Sequence, residues 1–194
     1  MKIILLTALC ALTFQANAQT FGVGAGYEYD SATKNSGGLK SIEKSSVLAG
    51  VRTDYGQFDA GLYEVKIRGE RFYDSQPGAE VGYGNGFQAG PVNINGRIGL
   101  GKVWNRGLGS TSDTGTYSTY TIGAGIPITP QLGGSVSFRY RPEHDFSRQQ
   151  QYSVGLTYSV SKSLQLLGSV RQTRSPNMAI MNGVSLQARY YFLP

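Results

Sequence analysis

The chain has 194 residues, of which 27 are glycine and 15% are charged, and its formal net charge is +6 at pH 7. The charged share is well below the roughly 25% of an average soluble protein, and glycine is at about twice its usual share. One cysteine excludes a disulfide framework, and one histidine excludes the common His-rich metal sites. We therefore expect neither a cofactor nor a metal centre.

The first 18 residues have the pattern of a cleaved secretory signal peptide. Lys2 precedes an apolar run over residues 3–14, and a small-x-small cleavage site ends at Ala18. We therefore predict a signal peptide at 1–18 and one domain at 19–194. For an exported chain with a pI of 9.4 we expect no nucleic-acid partner, and anionic lipid is the expected partner instead.

After the signal peptide, apolar and polar residues alternate with a period of two, which is the pattern of strands with two different faces. In the first segment, Phe21, Val23 and Ala25 alternate with glycines. Long polar stretches and short turns alternate between such segments, as in a meander of hairpins. The long stretches lie at 31–44, 69–78, 105–116, 142–149 and 174–183, and the short turns at 54–56, 90–91, 129–131 and 161–163. The sequence predicts ten antiparallel strands, with eight as the alternative.

One segment changes phase. The apolar residues of 58–62 share one face of the strand, whereas those of 63–67 continue on the other face. One extra residue in a strand restores such an alternation. We therefore predict a β-bulge near Leu62 and Tyr63.

The apolar face of these strands is predicted to meet lipid. The opposite face is rich in glycine, serine and threonine, which suits the crowded interior of a narrow barrel, and aromatic residues cluster near strand ends like the girdles of a transmembrane barrel. Turning the faces the other way would place Arg97, Arg139, Arg171 and Arg189 in lipid. Strands can cross lipid only in a closed barrel, because only closure pairs every backbone N–H and C=O group of a sheet without water. The predicted fold is an all-β, closed antiparallel up-and-down transmembrane β-barrel.

The last segment alternates Val184, Leu186, Ala188, Tyr190 and Phe192 with polar residues. In this it resembles the terminal insertion signal of small bacterial outer-membrane β-barrel proteins of the OmpA-like or OmpX-like kind. With the signal peptide and the hairpin pattern, the resemblance covers the mature chain. It implies an integral location in a Gram-negative outer membrane, assembly by the barrel insertion machinery, short periplasmic turns and long extracellular loops. We expect a monomer.

Charges on the inner face are divided along the chain, with acids early and arginines late. In a ring of ten strands, the early strands face the late strands across the lumen. The pattern has two interpretations: an ion-pair network that fills the interior, or a narrow water path whose transverse field orients small polar solutes. The predicted lumen charge network consists of Glu28, Asp30, Glu64, Glu80, Arg97, Arg139, Arg141, Arg171 and Arg189.

A second set of cations falls in or near the predicted long loops. These residues could pair with lipopolysaccharide phosphates, or they could form a solvated collar. The predicted lipopolysaccharide contacts are Lys34, Lys40, Lys44, Arg71, Arg106, Arg148 and Arg174, with Arg68 beside them.

These patterns favour a structural or surface-interaction role carried by the long loops. Two alternatives stay open: a narrow porin-like channel for small polar solutes, and an enzyme that modifies lipid A. Catalysis needs a base and an activated nucleophile within reach. Only His144, beside Glu143 and Asp145 and near Ser147, offers such a group, and this segment does not match the His-x-Ser pattern of lipid A deacylases. We therefore expect no enzyme and no catalytic residue.

Overall fold

The computed structural model describes residues 20–33, 38–53, 55–70, 73–104, 114–142, 148–176 and 178–192, so the predicted signal peptide at 1–18 lies outside the described residues. The described residues form ten strands in one closed antiparallel barrel. The strands are β1 (Thr20–Ala32), β2 (Leu39–Thr53), β3 (Gly56–Gly69), β4 (Tyr73–Ala89), β5 (Val92–Trp104), β6 (Thr114–Pro127), β7 (Leu132–Arg141), β8 (Gln149–Ser159), β9 (Leu164–Ser175) and β10 (Met178–Phe192). No helix among these residues is long and apolar enough to cross a membrane. The prediction of ten strands is confirmed, and the alternative of eight is wrong.

Each strand pairs with the next, and β10 closes the barrel against β1. Phe21 pairs with Phe192 and Tyr29 pairs with Val184. The rings of Phe21 and Phe192 stack with their centroids 5.5 Å apart. Because closure leaves no open sheet edge, the backbone N–H and C=O groups of the membrane-crossing part can all be paired without water.

At one end of the barrel (the tight-turn end), two to four residues separate consecutive strands, and at the other end (the long-loop end) the separation varies from two residues between β9 and β10 to nine between β5 and β6. The turn from β4 to β5 is Gly90-Pro91, and Gly90 has a φ of +60°, which glycine adopts without strain. At the long-loop end the predicted loops are too wide, because β2 begins at Leu39, β4 at Tyr73 and β10 at Met178. In β2 and β4 the backbone pairing continues into polar sequence, and in β10 it continues into residues 178–181, which are apolar and do not alternate.

The strand register fixes which face each residue takes. Even-numbered residues of β1, β2 and β4 face the lumen, and odd-numbered residues of the other strands do so. The opposite face carries exposed aliphatic side chains, among them Leu100, Val154 and Leu186, of which Leu186 is 68% exposed. A continuous apolar surface of this kind is stable against lipid and not against water.

Aromatic side chains flank this apolar band at both ends, as the girdles of a transmembrane barrel do. Tyr27, Tyr29, Tyr120 and Tyr152 lie towards the long loops, and Phe58, Phe87, Tyr158, Tyr190 and Phe192 lie towards the tight turns.

The phase change in β3 is not a bulge, and the predicted β-bulge is wrong. β2 and β3 stay in register here, with Ser46 opposite Tyr63, so Tyr63 faces the lumen and Glu64 faces outwards. The phase changes because β3 rises out of the apolar band at this level. Above it the outer face is polar and the inner face gains apolar residues such as Val65 and, on β5, the buried Val103. This is the alternation of a sheet with one solvated face.

Candidate functional site in the barrel lumen

In one half of the barrel, long lumen side chains lie flat against a wall of glycine. A Cβ atom at Gly101 would collide with the ring of Tyr117, and one at Gly82 would collide with the guanidinium of Arg97. In each case the glycine on one strand makes room for a side chain on the next. The glycines thus determine where the largest lumen side chains can be placed.

One connected group of side chains extends across the lumen from β2 to β7, and we call it the transverse cluster. It consists of Lys44, Asp59, Tyr63, Glu80, Arg97, Tyr117, Arg139 and Arg141. Glu80 lies at its centre and accepts hydrogen bonds from Arg97 Nη1 at 2.6 Å, Arg139 Nη2 at 2.7 Å and Tyr117 Oη at 2.9 Å. The Glu80 side chain is 11% exposed, so these charge-assisted bonds replace its water.

The ion pairs of this cluster brace strands that are not neighbours. Arg97 also binds Asp59, with Nε 2.9 Å from Oδ2 and Nη2 2.5 Å from Oδ1. Asp59 lies on β3, Glu80 on β4 and Arg97 on β5, so the Arg97–Asp59 pair spans the strand between them. The bond from Arg139 carries the network on to β7, three strands away from Glu80.

Aromatic rings extend the cluster towards the long-loop end. The hydroxyl oxygens of Tyr63 on β3 and Tyr117 on β6 lie 2.7 Å apart. Lys44 Nζ is 4.7 Å from the centroid of the Tyr63 ring, and the Arg141 guanidinium carbon is 5.6 Å from that of Tyr117. Both contacts are in the range of cation–π attraction. The β2–β7 half of the lumen is therefore occupied by ordered side chains.

A second group, the β1–β9 cluster, consists of Glu28, Asp30 and Arg171. Arg171 donates from Nε and Nη2 to the two carboxylate oxygens of Asp30, both at 2.8 Å, and Nη1 lies 2.6 Å from Glu28 Oε2. The Arg171 side chain is 4% exposed. The intervening β10 contributes Gly183, where a Cβ would collide with the Asp30 carboxylate. This bidentate pair is the most enclosed ion pair found among the described residues.

Apart from Arg171, Arg189 and the apolar Leu167 and Tyr191, the lumen face of β8, β9 and β10 carries mostly small or neutral polar side chains. All lumen-facing residues of β8, and those of β10 from Gly183 to Tyr191, are partly exposed. On β6, Tyr117 is buried and Thr119 is 1% exposed, whereas Arg97 and Arg139 of the transverse cluster are partly exposed as well, at 26% and 30%. We call the accessible face the polar track. Its members are Gln149, Gln151, Ser153, Thr157, Ser169, Thr173, Ser185 and Gln187.

The structure brings most of the predicted lumen charges into these two clusters. Glu80, Arg97, Arg139 and Arg141 belong to the transverse cluster, and Glu28, Asp30 and Arg171 form the other. Arg189 faces the lumen apart from both, near the tight-turn end, opposite Gly24 and Gln165.

Glu64 was predicted to face the lumen, and this prediction is wrong. It lies on the outer face of β3, where its carboxylate accepts a hydrogen bond from Ser75 Oγ at 2.7 Å and lies 3.8 Å from Lys66 Nζ. Its side chain is 47% exposed. The lumen prediction depended on the bulge, and an uninterrupted β3 turns Glu64 outwards.

Lys44 was predicted to be a surface contact, and this prediction is wrong because Lys44 faces the lumen. β2 begins five residues before it, and its pairing with Glu28 on β1 places it on the lumen face. The charges of Glu28, Glu80, Arg139 and Arg171 all act on it. The sequence held a signal for this position, since Lys44 has the same parity as the lumen-facing Ser46.

The other predicted surface cations are only partly described. Lys34, Arg71 and Arg106 lie outside the described residues, as does the segment around His144. Lys40 and Arg148 are exposed next to strand ends. On the outer face, Arg174 Nε bonds to Gln172 Oε1 at 2.9 Å, and Arg68 pairs with Glu43 at 3.1 Å.

Sequence reasoning missed the two tyrosines of the transverse cluster. Tyr63 fell at the misread phase change, and Tyr117 lay next to a predicted loop. The parity of Tyr117 with Thr119 and Thr121 was the available signal. No three Asp, Glu, His or Cys side chains within the described ranges converge on a possible metal site. The arrangement can brace a barrel and leave a polar passage beside the brace.

Comparison with known proteins places this chain among outer-membrane barrels. The family profile for Gram-negative porins matches residues 9–177, whereas no curated protein matches the chain. The chain is similar to the translocator domain of the autotransporter NalP from Neisseria meningitidis, with a TM-score of 0.53, 14% identity, and coverage of 95% of this chain and 93% of that one. It is also similar to the KdgM porin, with a TM-score of 0.50, 12% identity, and coverage of 87% and 99%.

A longer protein also matches over part of its length. The chain is similar to an anion-selective porin from Comamonas acidovorans with a TM-score of 0.40 and 15% identity. The match covers 91% of this chain and 57% of that porin, so the chain spans little more than half of its length. At these identities the solved structures describe a shared fold.

Proposed function

Since the chain belongs to the Gram-negative porin family, we propose that its barrel is a narrow, water-filled channel for small polar solutes. The family and the closed barrel make it an integral outer-membrane protein. The observation that carries the channel proposal is the polar track, whose small or neutral side chains are partly exposed beside the long side chains of the transverse cluster.

The size of the barrel supports a narrow passage. An eight-stranded barrel is just filled by its own side chains, whereas barrels of 16–18 strands leave a wide aqueous channel. With ten strands, the lumen has space beyond what side chains must fill. The transverse cluster takes up the β2–β7 side of that space, and its Tyr63, Arg97 and Tyr117 side chains lie against glycine.

The chemistry of the polar track indicates which solutes would pass. Its hydroxyl and amide groups can both donate and accept hydrogen bonds, so they can replace part of a polar solute's water as it passes. Ser169 and Ser185, whose hydroxyls lie 2.7 Å apart, offer such groups midway along the track. Solutes with hydroxyl, amide or ionised groups would fit this wall, and none of these steps needs a catalytic residue.

The test is single-channel recording of the purified, refolded barrel in a planar bilayer. Ser185→Trp places a large ring on the polar track and is expected to lower the conductance strongly. Val184→Trp is the matched control, because Val184 is the next residue, faces lipid and is 51% exposed. It should fold and conduct like the wild type. A folded wild-type barrel without steady conductance, or equal conductance in both variants, would overturn the channel proposal.

The remaining partners are also proposals. Outer-membrane lipid surrounds the apolar band, and lipopolysaccharide phosphates could bind Arg174 and Lys102, which lie on the outer face towards the long-loop end. Assembly by the barrel insertion machinery, a monomeric state and a surface role of the loops stay predictions.

A further inference from the structure

Building on the proposed channel, we infer that the passage admits anions in preference to cations, and that Arg189 is a charge-selecting residue at its tight-turn end. The inference concerns the charge of the solute and goes beyond the conduction proposed above. Three features of the lumen support it: the ion pairing of its acids, the hydrogen bonds that orient Arg189, and the absence of an acid paired with Arg189 among the described residues.

Four of the five described lumen-facing acids form ion pairs with arginine. Glu80 is shared by Arg97 and Arg139, Asp59 binds Arg97, and both acids of the β1–β9 cluster bind Arg171. A fifth acid, Asp74, accepts a hydrogen bond from the Gln76 amide near the long-loop end. The described lumen-facing acids are Glu28, Asp30, Asp59, Asp74 and Glu80, and the described lumen-facing bases are Lys44, Arg52, Arg97, Arg139, Arg141, Arg171 and Arg189. The wall therefore carries an excess of positive charge.

Arg189 is held in place by a neutral partner. Its Nε and Nη2 donate to Gln187 Oε1 at 3.2 and 2.9 Å. Its Cγ lies against Gly24, where an added Cβ would approach to 3.2 Å. Because an amide oxygen orients the guanidinium without cancelling its charge, the full positive charge of Arg189 acts on the lumen. Arg189 lies on β10, the strand whose lumen face is partly exposed.

The surroundings of Arg189 add to its positive field. Gln165 and Gly24 are its lumen-facing neighbours on β9 and β1, and neither is charged. Arg52, on β2, faces the lumen at the same end of the barrel and is exposed. Among the described residues no acid forms an ion pair with either arginine, and Asp54, in the turn after β2, lies outside the described residues.

A fixed charge in a narrow pore sorts small ions by sign. Low-dielectric walls focus the field of a charge into the lumen, where it raises the local concentration of the opposite ion. Arginine and lysine side chains serve this purpose in anion pores. The solute class favoured here is therefore the small polar anion, such as a carboxylate or an inorganic anion.

The test is the reversal potential of the reconstituted channel across a potassium chloride gradient. The wild type should favour chloride over potassium. Arg189→Gln, which keeps a polar side chain and removes the charge, should shift the reversal potential towards the value of a non-selective pore. Arg189→Lys should retain most of the anion preference. The shift should be larger at 0.1 M than at 1 M salt, since the screening length falls from about 10 Å to about 3 Å.

Arg68→Gln is the matched control. It removes the same charge from the outer face of β3, so the reversal potential should not change. A wild-type channel that favours potassium, or an Arg189→Gln variant that conducts with unchanged selectivity, would overturn this inference and leave the channel proposal standing. A folded wild type that conducts no ions would overturn the channel itself.

Discussion

The two halves of the lumen are built from the same alternating strands but have different interiors. The β2–β7 half holds the transverse cluster, in which Glu80 and Tyr117 connect strands across the barrel. The β8–β10 half holds the polar track, where residues such as Ser153 and Ser185 stay partly exposed. Strand alternation determines which side chains enter the lumen, and the size of those side chains determines whether the space is filled.

The glycines explain how the filled half accommodates its large groups. Gly82, Gly99 and Gly101 on β4 and β5 lie beneath Arg97 and Tyr117, and a Cβ at any of them would meet those side chains. In the other half most wall residues are small themselves, although Gly183 makes the same kind of room for the Asp30 carboxylate. The comparison predicts that substitutions of the same type will be severe in the transverse cluster and mild on the polar track and the outer face.

The largest effect is expected from Glu80→Gln. It removes the negative charge of a side chain that is only 11% exposed and that Arg97 and Arg139 share, so that Arg139 loses its acid and Arg97 keeps only Asp59. We expect a loss of about 3 kcal/mol in unfolding free energy, as for breaking a buried ion pair from one side. Urea unfolding of the barrel in lipid vesicles measures this.

Glu64→Gln is the control for that substitution. Glu64 is half-exposed on the outer face, where a charge pair contributes little. Equal unfolding midpoints for the two variants would contradict the central role of Glu80.

A smaller effect is expected from Gly101→Ala. The added methyl group would collide with the Tyr117 ring and push it away from Tyr63 and Glu80. Overpacking of this kind should cost about 2 kcal/mol of unfolding free energy. Thermal unfolding of the detergent-solubilised barrel would report it as a lower midpoint.

Gly125→Ala is the matched glycine control. Gly125 also faces the lumen, but its nearest neighbour, the carbonyl oxygen of Gly134, would lie 3.5 Å from the new Cβ, which is an ordinary contact. The model of a glycine-backed cluster fails if this variant is destabilised as strongly as Gly101→Ala.

The smallest effect is expected from Arg68→Gln. Arg68 pairs with Glu43 at 3.1 Å on the outer face, and its side chain is 55% exposed. Such a pair contributes about 0.5 kcal/mol or less, because water and salt screen it. The same urea titration should give a midpoint close to that of the wild type, and a shift as large as that of Glu80→Gln would show that the outer face carries structural charges too.

Much of the architecture could be predicted from the sequence, because it depends on local periodicity. The ten-strand count, the lipid-facing side of most strands and the aromatic girdles follow from residues two apart along the chain. Where the polarity of a face changes along a strand, that reasoning failed. In β3 it placed Glu64 in the lumen, and before Ser46 in β2 it assigned Lys44 to a loop.

The amino-acid sequence by itself determined that this chain closes into a membrane barrel with arginines inside, since lipid accepts only one of its two faces. Only the tertiary structure decided which charges meet. Arg171 and Asp30 are separated by 141 positions, and β10 brings them together by pairing with both β9 and β1. No local sequence pattern encodes the register in which β10 pairs with β1 and β9. The position of the polar track in the lumen depends on that register.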